Sequence, residues 1–194
     1  MKLCTHPDCE RPHLARGYCR NHYNQRYNRG LLPKRTADER FWSRVNKTPG
    51  CWEWTGALNA DGYGVFYLHK PNRQAHRVSY EMFVGTIPEG HQVDHICHNR
   101  KCVRPEHLRP TTPKQNAENL TGAYSNSASG IRGVYWHKRR NKWAAAVQHG
   151  GQQIHIGYFE ELDAADQAAT AKRLELFTHN DADRGLSAAA LRRN

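Results

Sequence analysis

The feature that most restricts the fold of this 194-residue chain is its set of six cysteines. The first residues, MKLCTHPDCERPH, lack the apolar core of a signal peptide, and nowhere do eighteen apolar residues run together. In a reducing compartment cysteines serve as metal ligands more often than as disulfides. We therefore expect a cytoplasmic protein without a membrane segment, in which the cysteines bind metal.

Three cysteines and a histidine near the N-terminus have the spacing of a zinc site. They form the pattern C-x4-C-x9-C-x2-H, at Cys4, Cys9, Cys19 and His22. Four tetrahedral thiolate or imidazole ligands hold zinc, and they can fold a short segment that has almost no apolar core. His6 and His13 compete with the last histidine as fourth ligand. The alternative interpretation is a disordered basic arm with reduced cysteines.

The chain is strongly basic, and its positive charge lies at the two flanks. The formal net charge is +11 and the pI is near 9.6. Residues 1–50 contribute +7 and residues 51–120 only +1, while residues 121–159 hold five basic residues and no acidic one. Such an excess favours a polyanionic partner, most often nucleic acid. The nearly neutral centre is where we expect a site that binds cations.

Composition and periodicity predict linkers and elements around that centre. The basic segment with Gly and Pro around residues 31–40 predicts a linker, and the small polar residues 123–129 predict another. The aromatic run at residues 62–69 predicts a strand, and apolar residues at helical spacing predict a helix over residues 76–85.

A second helix is predicted from a Thr-Pro pair at residues 112–113. It places Asn116 and Asn119, which are three residues apart, on one helical face.

The centre also carries a spaced set of Asp, His, Cys and Asn residues. It reads Asp94-His95-x-Cys97-x4-Cys102-x4-His107-Leu, followed by Asn116. This set resembles the ββα-metal motif of the HNH endonucleases, in the variant shared with the His-Cys box homing endonucleases. The resemblance covers roughly residues 41–120 and implies a zinc-stabilised core that hydrolyses phosphodiester bonds of double-stranded DNA.

The resemblance implies a role for each residue of the motif. His95 corresponds to the general base that activates water, and Arg77 is a candidate for contact with the scissile phosphate. Asp94 and Asn116 correspond to the ligands of a catalytic Mg²⁺ or Mn²⁺. The structural zinc ligands correspond to Cys51, Cys97, Cys102 and His107.

Some of these assignments have alternatives. His95 could be a further zinc ligand, and Arg77 could clamp a surface carboxylate. His98, beside the motif, is expected to be an exposed loop residue.

The C-terminal sequence predicts a three-stranded sheet followed by a helix. The strand-like runs IRGVYWH, KWAAAVQ and QIHIGYF are separated by RRN and HGGQ turns, and an Ala-rich amphipathic segment follows. Residues 130–180 resemble the ethylene-response-factor (AP2-type) DNA-binding domain, in which such a sheet enters the major groove. The DNA-contacting candidates implied are Arg132, Tyr135, His137, Arg139, Lys142, Trp143, Gln148 and His155. Of Trp136 and Trp143, one is expected on each face of the sheet, the inward one in the core.

Together these features predict an α+β protein made of three units. They are a zinc-binding basic module at residues 1–30, a ββα-metal nuclease core at 41–122 and a sheet-type DNA reader at 130–180, with a tail at 181–194. About two zinc ions per chain are expected.

The function predicted is that of a site-specific DNA endonuclease, a homing enzyme of a phage or mobile element acting in a bacterial host cell. The alternatives are a restriction or packaging nuclease without a homing role, and a catalytically silent DNA-binding regulator. The choice between monomer and homodimer stays open.

Overall fold

The computed structural model describes residues 2–33, 35–67, 72–124 and 126–185, which form a mixed arrangement of helices and small sheets. Their helices are α1 (Arg20–Asn28), α2 (Ala37–Trp42), α3 (Ala75–Phe83), α4 (Pro113–Glu118) and α5 (Leu162–Leu176). Their strands are β1 (Val45–Lys47), β2 (Trp52–Trp54), β3 (Val65–Phe66), β4 (Arg73–Gln74), β5 (Gln92–His95), β6 (Leu108–Thr111), β7 (Val134–His137), β8 (Lys142–His149) and β9 (Gln152–Phe159). The chain divides into two compact units, Met1–Ser43 and Arg44–Asn194. Within the described ranges, no helix has the length and apolar character needed to span a membrane.

The first unit consists of short loops and two helices. α1 follows the buried Cys19 and buries none of its own side chains. α2 begins inside the segment predicted as a linker, because Thr36 and Glu39 form a capping box in which each side chain accepts from the other's backbone N–H. The linker prediction for residues 31–40 is therefore wrong at its C-terminal end, where a helix-start signal outweighs the basic composition.

The second unit begins with three small antiparallel pairs of strands, β1 with β2, β3 with β4, and β5 with β6. The helix predicted over residues 76–85 is α3, whose Tyr80 packs with Val93 of β5 and Leu108 of β6. The strand predicted at residues 62–69 contains β3, and its last two residues lie outside the described ranges.

The consecutive elements β5, β6 and α4 hold the Asp, His and Asn residues of the central motif. In the β5–β6 pair, His95 lies opposite Leu108 and Asp94 lies opposite Arg109. α4 begins at Pro113, as the Thr-Pro pair predicts, and its N-cap Thr112 forms a capping box with Gln115. Because α4 packs against both strands, its polar residues lie beside β5.

The C-terminal part forms an antiparallel sheet in the order β7-β8-β9, with α5 packed on one face. Val134 and Ala145 of the sheet form a core with Ala169 of the helix, and the small side chains let the helix lie close to the strands. Gly133 has a φ of +82°, and a Cβ there would lie 2.5 Å from the carbonyl oxygen of Ala146. Only glycine fits this approach.

The two tryptophans of this sheet lie on the same face. Trp136 and Trp143 are directly opposite each other in the β7–β8 pair, with ring centroids 5.0 Å apart. Opposed residues of an antiparallel pair point to the same side, so the expectation of one tryptophan on each face is wrong. Trp143 packs against the core beside α5, while Trp136 remains 39% exposed.

Residues 177–185, which follow α5, pack back against the end of α4. The backbone N–H and hydroxyl of Thr178 donate to Oε2 of Glu118, and the backbone N–H of Asp181 donates to Asn119. The first residues of the predicted tail at 181–194 are therefore part of the folded unit, and residues 186–194 lie outside the described ranges.

Candidate functional site

A cavity of about 260 Å³ opens between α3, β5 and α4. Its lining includes the four residues predicted as catalytic base, phosphate contact and catalytic metal ligands: His95, Arg77, Asp94 and Asn116. The structure therefore brings together side chains that lie up to 39 residues apart in the sequence.

His95, at the end of β5, has one ring nitrogen tied to the backbone. Its Nε2 lies 3.0 Å from the carbonyl oxygen of Cys102. A carbonyl only accepts, so Nε2 carries the proton and Nδ1 holds the free lone pair. Burial lowers the pKa of His95 below its usual value, although the carbonyl contact raises it. The ring is thus held neutral, as a general base requires.

Asp94 precedes this histidine, and the bonds that hold it all reach one of its two oxygens. Oδ2 accepts from Nε and Nη2 of Arg109, at 3.2 and 3.0 Å, and from Nδ2 of Asn119 at 2.8 Å. Among the described residues no donor is bonded to Oδ1. The carboxylate is therefore fixed by one oxygen and keeps the other for a ligand.

Asn116, on α4, is oriented in a similar way. Its Nδ2 donates to Oε1 of Gln92, the first residue of β5, at 2.6 Å. The nitrogen end of the amide is thereby occupied, and its oxygen is left without a donor from the parts of the chain that the structure describes. Carboxylate and amide oxygens are the protein ligands that Mg²⁺ accepts.

Arg77, on α3, lines the same cavity. No carboxylate of the described chain lies within ion-pair distance of its guanidinium. The alternative of a clamp on a surface carboxylate thus has no partner within those ranges.

His76 is a cavity residue that the sequence analysis did not select. It is 3% exposed, its ring centroid lies 4.6 Å from that of His95, and its Nδ1 is buried without a hydrogen-bond partner. Burial, together with the electrostatic effect of nearby His95 and Arg77, lowers the pKa of His76 to about 2, although a hydrogen bond to the Val93 backbone opposes this shift. The His-Arg pair at the start of α3 is the sequence signal that could have marked it.

His98 differs from the expectation of an exposed loop residue. It is half-buried, its φ is +56°, and its Nε2 is buried without a partner.

Cys51, Cys97, Cys102 and His107 form a fully buried cluster whose ligand atoms all lie within 4.8 Å of one another. Nδ1 of His107 is 3.5 Å from the sulfur of Cys102 and 3.8 Å from that of Cys51. Tetrahedral zinc, with bonds of about 2.3 Å to sulfur and about 2.0 Å to nitrogen, places neighbouring ligand atoms about 3.5 to 3.8 Å apart. The cluster fits that ion, and the His95 ring bonds to a backbone carbonyl instead of joining it.

The thiols of this cluster shift one another's pKa values. The contact between Cys97 and Cys102 lowers the pKa of Cys102 to about 5 and raises that of Cys97. Zinc binding requires thiolates and so displaces the protons that remain.

The first unit holds a second cluster, formed by Cys4, Cys9, Cys19 and His22. Nδ1 of His22 lies 3.4 Å from the sulfur of Cys4 and 3.5 Å from that of Cys19. His6, the competing candidate, stacks on the His22 ring at 3.8 Å, and its own Nδ1 is bonded to the Pro7 carbonyl. His22 is therefore the histidine that the fold brings to the three thiols.

The predicted DNA-contacting residues separate into two groups. Tyr135, His137 and His155 lie on the sheet face away from α5, where Tyr158 and Arg140 join them. The rings of His137 and His155 lie 5.0 and 4.5 Å from that of Tyr158, and the Arg140 guanidinium lies 4.5 Å above it. We call these five residues the aromatic face. Sequence analysis missed Tyr158 and Arg140, although both stand in the runs that it identified.

Two of the other candidates are held within the fold. The guanidinium of Arg132 donates to the carbonyls of Ala117, Glu118 and Leu120, and Trp143 packs in the core, so neither is free to contact DNA. Arg139 and Gln148 are exposed in the turn after β7 and near the end of β8.

Lys142, at the start of β8, forms an ion pair with Glu160 at 2.7 Å.

Residues 73–118, which contain the cavity-lining residues of α3, β5 and α4, match the family model of the HNH endonucleases. The chain therefore contains an HNH endonuclease domain. It is also similar to proteins of Escherichia phage T7. It is 36% identical to protein 3.8 over 91 residues, which is 47% of this chain and 72% of that protein. The chain belongs to the same protein family as this phage protein.

Two further phage T7 proteins are similar over shorter stretches. Protein 7.7 is 41% identical over 70 residues, or 36% of this chain, and protein 2.8 is 38% identical over 85 residues, or 42% of it. The chain spans 54% and 58% of their lengths. No solved structure matches the chain.

Proposed function

We propose that the chain is a DNA endonuclease that hydrolyses phosphodiester bonds in the cavity between α3, β5 and α4. The observation that carries this proposal is the bond from His95 to the Cys102 carbonyl, which leaves Nδ1 as a free base in a cavity that Asp94 and Asn116 also line. A silent DNA-binding regulator has no need for a buried neutral histidine beside such ligands.

His95 acts as the general base. Its Nδ1 takes a proton from the attacking water, the water oxygen bonds to phosphorus, and the bond to the 3′ oxygen breaks. The leaving 3′ oxygen takes a proton from solvent water. The products have a 3′-hydroxyl and a 5′-phosphate, as the resemblance to the family implies. The hydrogen bond at Nε2 stabilises the imidazolium that forms, since a carbonyl oxygen attracts its charge.

Oδ1 of Asp94 and the side-chain oxygen of Asn116 would hold a Mg²⁺ or Mn²⁺ ion. They fit a hard cation because both are oxygens, and in both residues the remaining polar atom is held by a neighbour. When bound, such an ion neutralises charge on the phosphate and stabilises the leaving oxygen. Two protein ligands leave room for water and for phosphate oxygens.

Arg77 would contact the scissile phosphate. Arg77 lines the cavity, and a planar cation with five donors suits a phosphate whose charge grows during the reaction.

The two Cys3His clusters would each hold a structural zinc ion, giving about two per chain. Because Cys102 supplies both a zinc ligand and the carbonyl that orients His95, zinc in the second unit would fix the loop behind the base.

DNA would be held outside the cavity as well. The aromatic face offers two tyrosines, two histidines and an arginine on one side of the β7–β8–β9 sheet, and these residue types suit contacts with sugars and base edges. The resemblance to AP2-type domains supports the same face. α1 adds an exposed helix rich in Arg, Asn and Tyr.

The finer assignment is a phage-encoded, site-specific enzyme of the homing type that acts inside a bacterial host. The similarity to phage proteins supports the phage origin. Mapping the cleaved sequence on both strands separates a long asymmetric homing site from the short palindrome of a restriction enzyme.

The test is cleavage of supercoiled plasmid by the zinc-loaded full chain with Mg²⁺, beside His95→Ala and the control His91→Ala. His91 lies outside the cavity lining, and its ring bonds to the Glu89 carbonyl. Loss of a general base lowers the rate by about 10²- to 10⁴-fold, while the control is expected to cut like the parent. Intact plasmid with Mg²⁺, Mn²⁺ and Zn²⁺ alike would favour the silent regulator.

A further inference from the structure

Four residues form a closed ring of hydrogen bonds around the second oxygen of Asp94. Asp181, in the segment after α5, binds both terminal nitrogens of the Arg109 guanidinium through its two carboxylate oxygens. The same guanidinium donates to Oδ2 of Asp94. On the other side, the backbone N–H of Asp181 donates to Oδ1 of Asn119 at 3.0 Å, and Nδ2 of Asn119 donates to the same Asp94 oxygen.

From this ring we infer that Asp181 is a positioning residue of the endonuclease site, acting on Asp94 through Arg109 and Asn119. The inference rests on the proposed function, since it concerns the carboxylate that would bind the divalent cation. Asp181 lies 62 residues after Asn119 in the sequence and is bonded to it in the fold. The segment after α5 therefore contributes to the nuclease site.

The ring lies in a poorly solvated environment. Asp181 is 3% exposed, Asn119 is 4% exposed and Asp94 is 8% exposed. At such burial, charges interact more strongly than in water, and a change at one member is felt at the others.

The charge of the ring explains what Asp181 does. One guanidinium lies between two carboxylates, so the group keeps a net negative charge, which a divalent cation needs. Without the Asp181 charge, Arg109 would have Asp94 as its only carboxylate partner in the ring. A guanidinium fork favours binding both oxygens of one carboxylate, and it would then compete with the cation for Oδ1.

The direct test compares Asp181→Asn with Asp183→Asn in the zinc-loaded full chain. The first change keeps the side-chain shape and the backbone N–H to Asn119 but removes the charge. The second removes a carboxylate of the same segment that pairs with Arg173 and does not contact the ring. Mn²⁺ binding is measured by electron paramagnetic resonance of the free ion, together with thermal unfolding and the Mg²⁺ dependence of plasmid cleavage.

We expect Asp181→Asn to weaken Mn²⁺ binding about tenfold, the size seen when a residue supporting a metal ligand is lost. Asp183→Asn is expected to lower the unfolding temperature without changing Mn²⁺ affinity. Equal Mn²⁺ affinity of the two variants would overturn the inference and leave Asp181 a structural residue. Absence of both Mn²⁺ binding and cleavage in the parent chain would instead overturn the proposed function.

A second comparison covers the case in which Asp181→Asn unfolds. Arg109→Gln removes the competing cation, and the double variant Arg109→Gln/Asp181→Asn removes both charges of that ion pair together. If Asp181 acts by holding the guanidinium charge away from Asp94, the double variant should bind Mn²⁺ within twofold of Arg109→Gln alone. A further tenfold loss in the double variant would contradict that route.

Discussion

Oε1 of Gln92 accepts a 2.6 Å hydrogen bond from Nδ2 of Asn116, and this bond decides which end of the Asn116 amide faces the cavity. A cation can bind the oxygen of an amide but is repelled by its NH₂ group. Gln92 stands at the first position of β5, two residues before Asp94, and therefore on the same side of that strand.

Substitutions of Gln92 test whether this side chain orients the Asn116 amide or only packs beside it. Gln92→Leu should raise the Mg²⁺ concentration for half-maximal plasmid cleavage about tenfold, because the Asn116 amide loses the acceptor that fixes it. Gln92→Glu keeps an acceptor at that place and should stay near the parent value. The measurement is a Mg²⁺ titration of cleavage at fixed ionic strength, and a Leu variant with the parent midpoint would speak against this role.

The two Cys3His clusters can be distinguished by matched cysteine variants. Cys102→Ser and Cys9→Ser should each lower bound zinc from about two to about one ion per chain, as measured by plasma mass spectrometry. Only Cys102→Ser should abolish cleavage, since that residue also anchors the loop whose carbonyl binds His95. One zinc or none in the parent chain would refute the two-site arrangement.

His76 makes the stability of the second unit sensitive to acid. Its pKa is about 2 in the folded chain and near 6.5 when unfolded, so the unfolded state alone takes up a proton as the pH falls below 6.5. Lowering the pH from 7.5 to 5.5 therefore reduces the free energy of unfolding by about 1.4 kcal/mol.

The variant His76→Gln tests this dependence. Glutamine can keep the hydrogen bond to the Val93 backbone, but it does not titrate. Over that pH range, the free energy of unfolding of the variant should therefore fall by about 1.4 kcal/mol less than that of the parent. Denaturant unfolding at both pH values, with zinc saturating, gives the difference because all other titrating groups are shared. Parallel losses in the two proteins would contradict the prediction.

The aromatic face predicts a salt-dependent contact with DNA. Arg140→Ala should weaken binding to all sequences and reduce the slope of log K against log salt by about 1, as for the loss of one phosphate contact. Lys172→Ala, on α5 and paired with Glu175, is the matched control and should change neither quantity. An unchanged slope for Arg140→Ala would place the DNA elsewhere.

The resemblance to the HNH motif predicted four residues of the cavity and the cluster of the second unit, while local spacing predicted the cluster of the first unit. His95 and Asp94 are adjacent, and Cys97, Cys102 and His107 lie within one short loop. The residues that hold these groups were not predictable in the same way. Arg109, Asn119 and Asp181 meet only because the segment after α5 returns to α4, and no pattern in the sequence indicates that return.

The remaining wrong predictions concern features that depend on how strands pair and segments pack in the fold. Trp136 and Trp143 share a face because they are opposed across β7 and β8, and strand alternation alone gives the orientation within a strand but not the pairing. Arg132 was expected to contact DNA, but its guanidinium donates hydrogen bonds to three backbone carbonyls at the end of α4. A charged residue at a strand edge can serve either purpose, and only the fold decides.

The contacts between α4 and the C-terminal segment predict that the nuclease core does not fold alone. A chain ending at residue 122 loses the Thr178 donors to Glu118, the Asp181 donor to Asn119 and the Arg132 cap on α4. Glu118 and Asn119 are each 4% exposed, so the truncation uncovers polar groups that had partners, and it removes the Asp181 contacts that hold Arg109 and Asn119 beside Asp94. We expect this fragment to unfold at least 10 °C below the parent, or to be unfolded at 25 °C, since several lost buried bonds of about 1 kcal/mol each exceed what a small core tolerates.

A chain ending at Gly185 keeps every described contact and is the matched control. Thermal unfolding followed by circular dichroism, with zinc present, measures both. A fragment of residues 1–122 that melts like the control and still cleaves plasmid would establish the core as an independent domain.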